Sequence, residues 1–88
     1  MHDLSEIYWR EHGLEGLQLE DFLDKVAGGA YGTFTAQDIK EFLLNMEHSI
    51  LENIELKAGE TPQFALMKDE IVAETIERFR LLRERYAR

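Results

Sequence analysis

Two long runs of helical periodicity, separated by one turn sequence, follow Thr35 and constrain the fold more than any other feature. The first run predicts a helix over about 36–57, and the second predicts a helix over about 62–86. Gly59-Glu60-Thr61-Pro62 lies between them. Its threonine is a suitable N-cap, and its proline suits the first helical position, where the missing amide costs nothing. Because the connection is short, the two helices are predicted to pack antiparallel as a hairpin.

The apolar residues of each run fall on one stripe, which is typical of helices that share a core. The stripe of the first run consists of Ile39, Phe42, Leu43, Met46, Ile50 and Ile54. The stripe of the second run consists of Phe64, Ile71, Val72, Thr75, Phe79, Leu82 and Tyr86. Asn53 also falls within the first stripe, where a buried amide would need a hydrogen-bond partner. The two stripes are predicted to face each other.

The residues before Thr35 predict two shorter helices and a loop. The first helix is expected over about 3–12 and ends at Gly13, and the second is expected over about 18–27. A glycine- and aromatic-rich loop over 30–34 leads into the hairpin. We therefore expect an all-α fold with one domain, in which two short N-terminal helices and this loop pack on the long hairpin.

Composition excludes several classes of protein. The 88 residues include no cysteine, so disulfides, thiolate chemistry and zinc–sulfur sites are excluded. The apolar runs are far shorter than a membrane span. The segment Met1-His2-Asp3 lacks the basic and apolar blocks of a signal peptide, and we expect a cytoplasmic protein. The net charge of −8 opposes direct binding to the phosphates of nucleic acid.

The charge is distributed unevenly along the chain. Residues 1–77 carry 17 acidic and 5 basic residues, a net charge of −12, whereas residues 78–88 carry five arginines and one glutamate, a net charge of +4. Cations at a helix C-terminus interact favourably with the helix dipole, which is one interpretation of this end. The other is a contact surface. Arg83 and Arg85 have no acidic residue three or four positions away, so they are predicted to be free to meet an acidic surface on a partner or second subunit.

Four apolar residues of the hairpin lie outside the two stripes, so another surface is needed to bury their side chains. They are Leu44, Leu51, Ile76 and Leu81. The two short helices supply too few residues to cover all of them, because a chain this small buries a modest fraction of its surface. We therefore predict that these residues form an interface with a second copy of the chain or with another protein.

The segment from Leu19 to Leu43 resembles an EF-hand helix–loop–helix. Gly32 matches the central glycine of the loop, and Asp38 matches its last position. In that register the early ligand positions fall on Ala27, Gly29 and Tyr31, which carry no carboxylate, whereas calcium needs six or more oxygens. We therefore predict no calcium or magnesium site, and no metal or cofactor.

A Glu-x-x-Glu pair occurs twice in the hairpin, as Glu52/Glu55 and as Glu74/Glu77. This pattern is similar to the acidic helices of all-α nucleoside triphosphate pyrophosphohydrolases, and the resemblance implies a metal-dependent enzyme. With a turn near residue 59, position 52 is expected opposite about 67, so the four carboxylates would converge only across subunits. No other arrangement of residues suggests a catalytic group, and we predict none.

These observations favour a small non-enzymatic interaction or regulatory module that acts through helix surfaces as a homo-oligomer. Two alternatives remain open. One is an acidic phage- or plasmid-type inhibitor of a nucleic-acid-binding protein. The other is the dimeric metal-dependent nucleotide pyrophosphohydrolase that the glutamate pairs suggest.

Overall fold

The computed structural model describes residues 3–88 and contains four helices within them. They are α1 (Leu4–Glu15), α2 (Leu19–Ala27), α3 (Ala36–Glu60) and α4 (Pro62–Tyr86). Helices α3 and α4 pack along each other as an antiparallel hairpin, and the two short helices pack on it. The predicted all-α fold is therefore confirmed. Within residues 3–88, no helix is long and apolar enough to cross a membrane.

The hairpin turns at Thr61, not at Gly59. Helix α3 continues through Gly59 to Glu60, three residues beyond the predicted end at 57. Thr61 is extended, with φ −124° and ψ 105°. A residue that precedes proline is pushed out of the helical region by the proline ring, so Pro62 ends α3 and begins α4 at once. Thr61 is the N-cap residue of α4, as predicted, but its side chain makes no capping hydrogen bond.

The first helix is also longer than predicted. It passes through Gly13 and ends at Gly16, which takes the left-handed conformation with φ 66°. The amide of Gly16 donates a 2.8 Å hydrogen bond to the carbonyl oxygen of His12, which closes the last turn. Glycine adopts positive φ without steric cost, so Gly16 is the stronger stop signal of the two.

A capping box fixes the start of α3. The backbone amide of Asp38 donates to the Thr35 hydroxyl at 3.1 Å, and the Thr35 amide donates to a carboxylate oxygen of Asp38 at 3.0 Å. The preceding loop, residues 28–35, contains turns and no strand. Asp38, the residue that matches the last EF-hand loop position, is thus engaged as a helix cap.

One hydrophobic core joins all four helices near the C-terminal end of α4. Tyr8 of α1, Phe22 of α2 and Phe42 of α3 pack with ring centroids 5.2–5.9 Å apart. Leu43 and Phe79 are completely buried against them. Asn53 is exposed despite its position in the predicted stripe, so it needs no buried partner. Among residues 3–14 and 16–88, no polar or charged residue is buried.

The core occupies one half of the hairpin. Its members in α3 end at Met46, and those in α4 begin at Phe79. We call residues 51–74, which lie beyond the core, the hairpin arm. Ile54 is the one buried residue among them, and the remaining contacts are between half-buried side chains. The arm is therefore a two-helix extension with little apolar cover.

Candidate interaction surfaces

A row of apolar side chains follows one side of the hairpin, away from the two short helices. We call this surface the back face, and define it by Leu44, Leu51, Val72 and Ile76. Leu44 lies two positions after the core residue Phe42, which places it on the opposite side of α3. Leu51 and Val72 line the same hollow between the helices. Ile76 lies one turn beyond Val72, and both Leu44 and Ile76 remain about 45% exposed.

The charges beside the back face are paired within the chain. The guanidinium of Arg83 donates to both carboxylate oxygens of Glu47, at 3.1 and 3.2 Å. Nearer the turn, the ammonium of Lys68 lies 2.8 Å from a carboxylate oxygen of Glu55. The prediction that Arg83 is free is therefore wrong, because the hairpin brings it against an acid 36 residues away. Glu52, which lines the same hollow, is paired with the imidazole of His48 at 3.1 Å. The back face is therefore apolar, and the neighbouring Glu47 and Glu55 are neutralised by cations.

A second surface lies on the other flank of α4, beside α2. We call it the α4 groove. It is a shallow groove of about 610 Å³ that is lined by Glu20, Ala73, Glu74, Glu77, Arg78, Leu81, Leu82 and Arg85. Leu81 projects into it and remains 51% exposed. An ion pair of 2.9 Å between Arg78 and Glu20 forms its α2 side. The groove is thus apolar in the centre and charged at both ends.

The charged residues of the α4 groove differ in how well they are paired. Arg80 forms ion pairs with both Glu77 and Glu84. The hydrogen bond from Arg80 lowers the pKa of Glu77 below its usual value, so this carboxylate is ionised at neutral pH. Among residues 3–88, no carboxylate lies within ion-pair distance of Arg85, whose guanidinium stacks 5.2 Å from the Tyr86 ring centroid. Arg85 therefore keeps the unpaired charge that the sequence predicts.

The six residues predicted as one interface divide between the two surfaces. Leu44, Leu51 and Ile76 lie together on the back face, with Arg83 beside them. Leu81 and Arg85 lie in the α4 groove. Leu81 is five positions after Ile76, which places it about 140° around the helix from Ile76. A helical wheel would have shown this separation, and no single helix could cover both surfaces.

The two glutamate pairs also lie apart. Glu52 and Glu55 line the hollow beside Leu51 and Val72 on α3, whereas Glu74 and Glu77 line the α4 groove. Glu52 shares its hollow with Val72, so position 52 faces a part of α4 about one helical turn beyond the expected residue 67, because the hairpin turns at Thr61. The chain alone does not bring the four carboxylates together. In the part of the chain that is described, no three metal-binding side chains cluster.

The sequence reasoning missed further exposed apolar residues. Trp9 of α1 is 56% exposed and contacts Tyr8 edge-on, with ring centroids 5.2 Å apart. Leu56 and Met67 are exposed near the turn of the hairpin, together with Leu66. The position of Leu56 and Met67 outside the apolar stripes was the available signal. The exposure of Trp9 depends on the way α1 docks, which the sequence does not specify.

Comparisons of the chain with protein-family models, with curated proteins and with solved structures found no match.

Proposed function

We propose that this chain is a non-enzymatic, cytoplasmic protein-interaction module that acts as a homo-oligomer and binds an amphipathic helix of another protein on its back face. The observation that supports the proposal most is the pairing of Glu47 with Arg83 and of Glu55 with Lys68 beside the apolar row. A partner seated there would not have to satisfy these charges. It would bury apolar side chains against Leu44 and Ile76, which are half exposed in the isolated chain.

The shape of the back face suits a helix. Its residues lie about one or two turns apart along two antiparallel helices, so their side chains form a shallow trough between α3 and α4. A third helix can place residues spaced three and four apart into such a trough, as helix-in-groove complexes do. Covering the exposed half of a leucine or isoleucine side chain contributes about 1 kcal/mol. Several such contacts together support specific binding.

The proposal is tested by affinity capture from the native cells with three forms of the chain. The first is the wild type, the second carries Leu44→Glu and Ile76→Glu on the back face, and the third carries Leu14→Glu as a control. Leu14 is 78% exposed on α1, so the control adds a charge at an exposed site on a helix that is not part of the back face. Circular dichroism melts establish that all three forms fold.

We expect one protein to be captured by the wild type and the control but not by the back-face variant. With the purified partner, the two substitutions should weaken the affinity by about tenfold or more, which corresponds to about 1.4 kcal/mol. Equal binding by the back-face variant and the wild type would contradict the proposal.

A further inference from the structure

Four charged residues near the C-terminal end of α4 are spaced symmetrically in sequence about Leu81. Glu77 precedes it by four residues and Glu74 by seven, whereas Arg85 follows by four and Arg88 by seven. Steps of four and seven residues keep Glu74, Glu77 and Arg85 within about 40° of Leu81 on the helix surface, and Arg88 follows two residues after the helix ends. This stripe of α4 is therefore acidic before Leu81 and basic after it, and the neighbouring Arg78 is paired with Glu20. When a second copy of this helix runs antiparallel to the first, the acidic residues of each copy therefore face the basic residues of the other.

We propose that two copies of the chain associate through the α4 groove, with their α4 helices antiparallel and a twofold axis at Leu81. This inference deepens the proposed function, because it assigns the homo-oligomer contact to one surface. The axis places Leu81 of one protomer against Leu81 of its partner. It also places Glu77 of each protomer opposite Arg85 of the other, about 6 Å along the helix on either side of the axis.

Charge complementarity selects the second copy and its orientation. A twofold contact uses the same patch on both protomers, so the patch must carry both signs in a symmetric order. The stripe through Leu81 meets that condition. A parallel arrangement would set Glu77 against Glu77 and Arg85 against Arg85, and juxtaposed like charges oppose binding. The antiparallel arrangement also gives Arg85 the carboxylate partner that it lacks within its own chain.

The ends of the contact are consistent with this arrangement. Glu74 of one protomer reaches the last turn of α4 in the other. Arg88 lies two residues beyond the end of that helix and donates from Nε to the carbonyl oxygen of Glu84 in the last turn, at 2.6 Å. The contact thus extends about 10 Å along α4 on each side of the axis. An interface of one such helix per protomer is small, so the dimer is reversible and forms at micromolar concentration.

Sedimentation equilibrium across the micromolar range tests this arrangement with a matched pair of variants. Leu81→Glu places a charge in the α4 groove, and Ile76→Glu places the same charge on the back face of the same helix. The two side chains are similarly exposed, at 51% and 45%. We expect Leu81→Glu to weaken dimerisation by tenfold or more and Ile76→Glu to leave it unchanged. A wild-type monomer, or a Leu81→Glu variant that dimerises normally, would overturn the inference.

A charge-swap series tests the register. Glu77→Arg alone and Arg85→Glu alone should each weaken the dimer, because each leaves two like-charge contacts across the axis. The double variant restores opposite charges in the reverse order and should recover dimerisation. Failure of that recovery, with both single variants folded, would overturn the proposed pairing.

The outcome of the dimerisation experiments can be distinguished from the outcome of the partner-capture experiment. If Ile76→Glu abolishes dimerisation and Leu81→Glu does not, the dimer uses the back face and this inference is wrong. If Leu81→Glu abolishes dimerisation and partner capture survives, the module acts on its partner as a monomer. If capture fails for the wild type while the dimer behaves as stated, the proposed partner site is wrong and the dimer stands.

Discussion

Arg83 of α4 donates two hydrogen bonds, of 3.1 and 3.2 Å, to the carboxylate of Glu47 in α3. These bonds join the two helices across 36 residues of sequence. Both side chains are partly buried, with 24% of Arg83 and 12% of Glu47 exposed. Paired, partly buried charges of this geometry contribute more than a fully exposed ion pair does. The contact also fixes how α3 and α4 are placed along each other.

We therefore expect Arg83→Gln to reduce the free energy of unfolding by about 1 kcal/mol, because it leaves Glu47 without its partner. Arg85→Gln, two positions along, should have an effect close to zero when the protein is dilute enough to be monomeric. Urea unfolding of the two single variants provides the comparison. A double-mutant cycle with Glu47→Gln isolates the coupling, and equal stability of the two arginine variants would show that the pair contributes nothing.

The two glycines near the end of α1 should respond in opposite directions to alanine. Gly13 lies inside the helix, with open space where a Cβ would stand, so Gly13→Ala should stabilise the chain by about 0.5–1 kcal/mol. Gly16 holds φ 66°, which alanine adopts only with strain, so Gly16→Ala should destabilise it by about 1 kcal/mol. Thermal melts followed by circular dichroism measure both. If α1 ended at Gly13, as the sequence suggested, the signs would be exchanged.

Tyr86 makes the stability sensitive to alkaline pH. Its hydroxyl donates to a carboxylate oxygen of Asp24 at 2.6 Å, and this hydrogen bond raises the pKa of the phenol above its usual value. A pKa that is higher in the folded state stabilises the chain below the unfolded pKa of about 10, and this stability is lost as the pH rises through the folded value. Burial raises the pKa of Tyr8 in the same direction.

We expect the free energy of unfolding to fall above about pH 10 in the wild type, and to fall less steeply in Tyr86→Phe, which retains the contribution of Tyr8. Urea unfolding at a series of alkaline pH values gives both slopes. Phenolate absorbance measures the titration directly. Identical slopes in the two proteins would show that the hydrogen bond to Asp24 does not persist in solution.

The elements that the sequence predicted are those specified by local patterns. The stripe from Ile39 to Ile54 and the caps around Thr35 depend on residues within a few turns of one another, and both are confirmed. The partner of Arg83 depends instead on the alignment of two helices across a turn. An error of two residues in the position of that turn moved position 52 by about one helical turn relative to α4.

The core lies in one half of the hairpin, so the two halves of the molecule differ in the free energy that is needed to unfold them locally. The half that contains Phe42 and Phe79 unfolds only when the whole chain does, so its amide protons should exchange at the rate of global unfolding. The arm, in which Ile54 is the one buried side chain, opens at a lower free energy and should exchange first. A helix seated along Leu51 and Val72 would slow that exchange and make the arm unfold together with the rest of the chain.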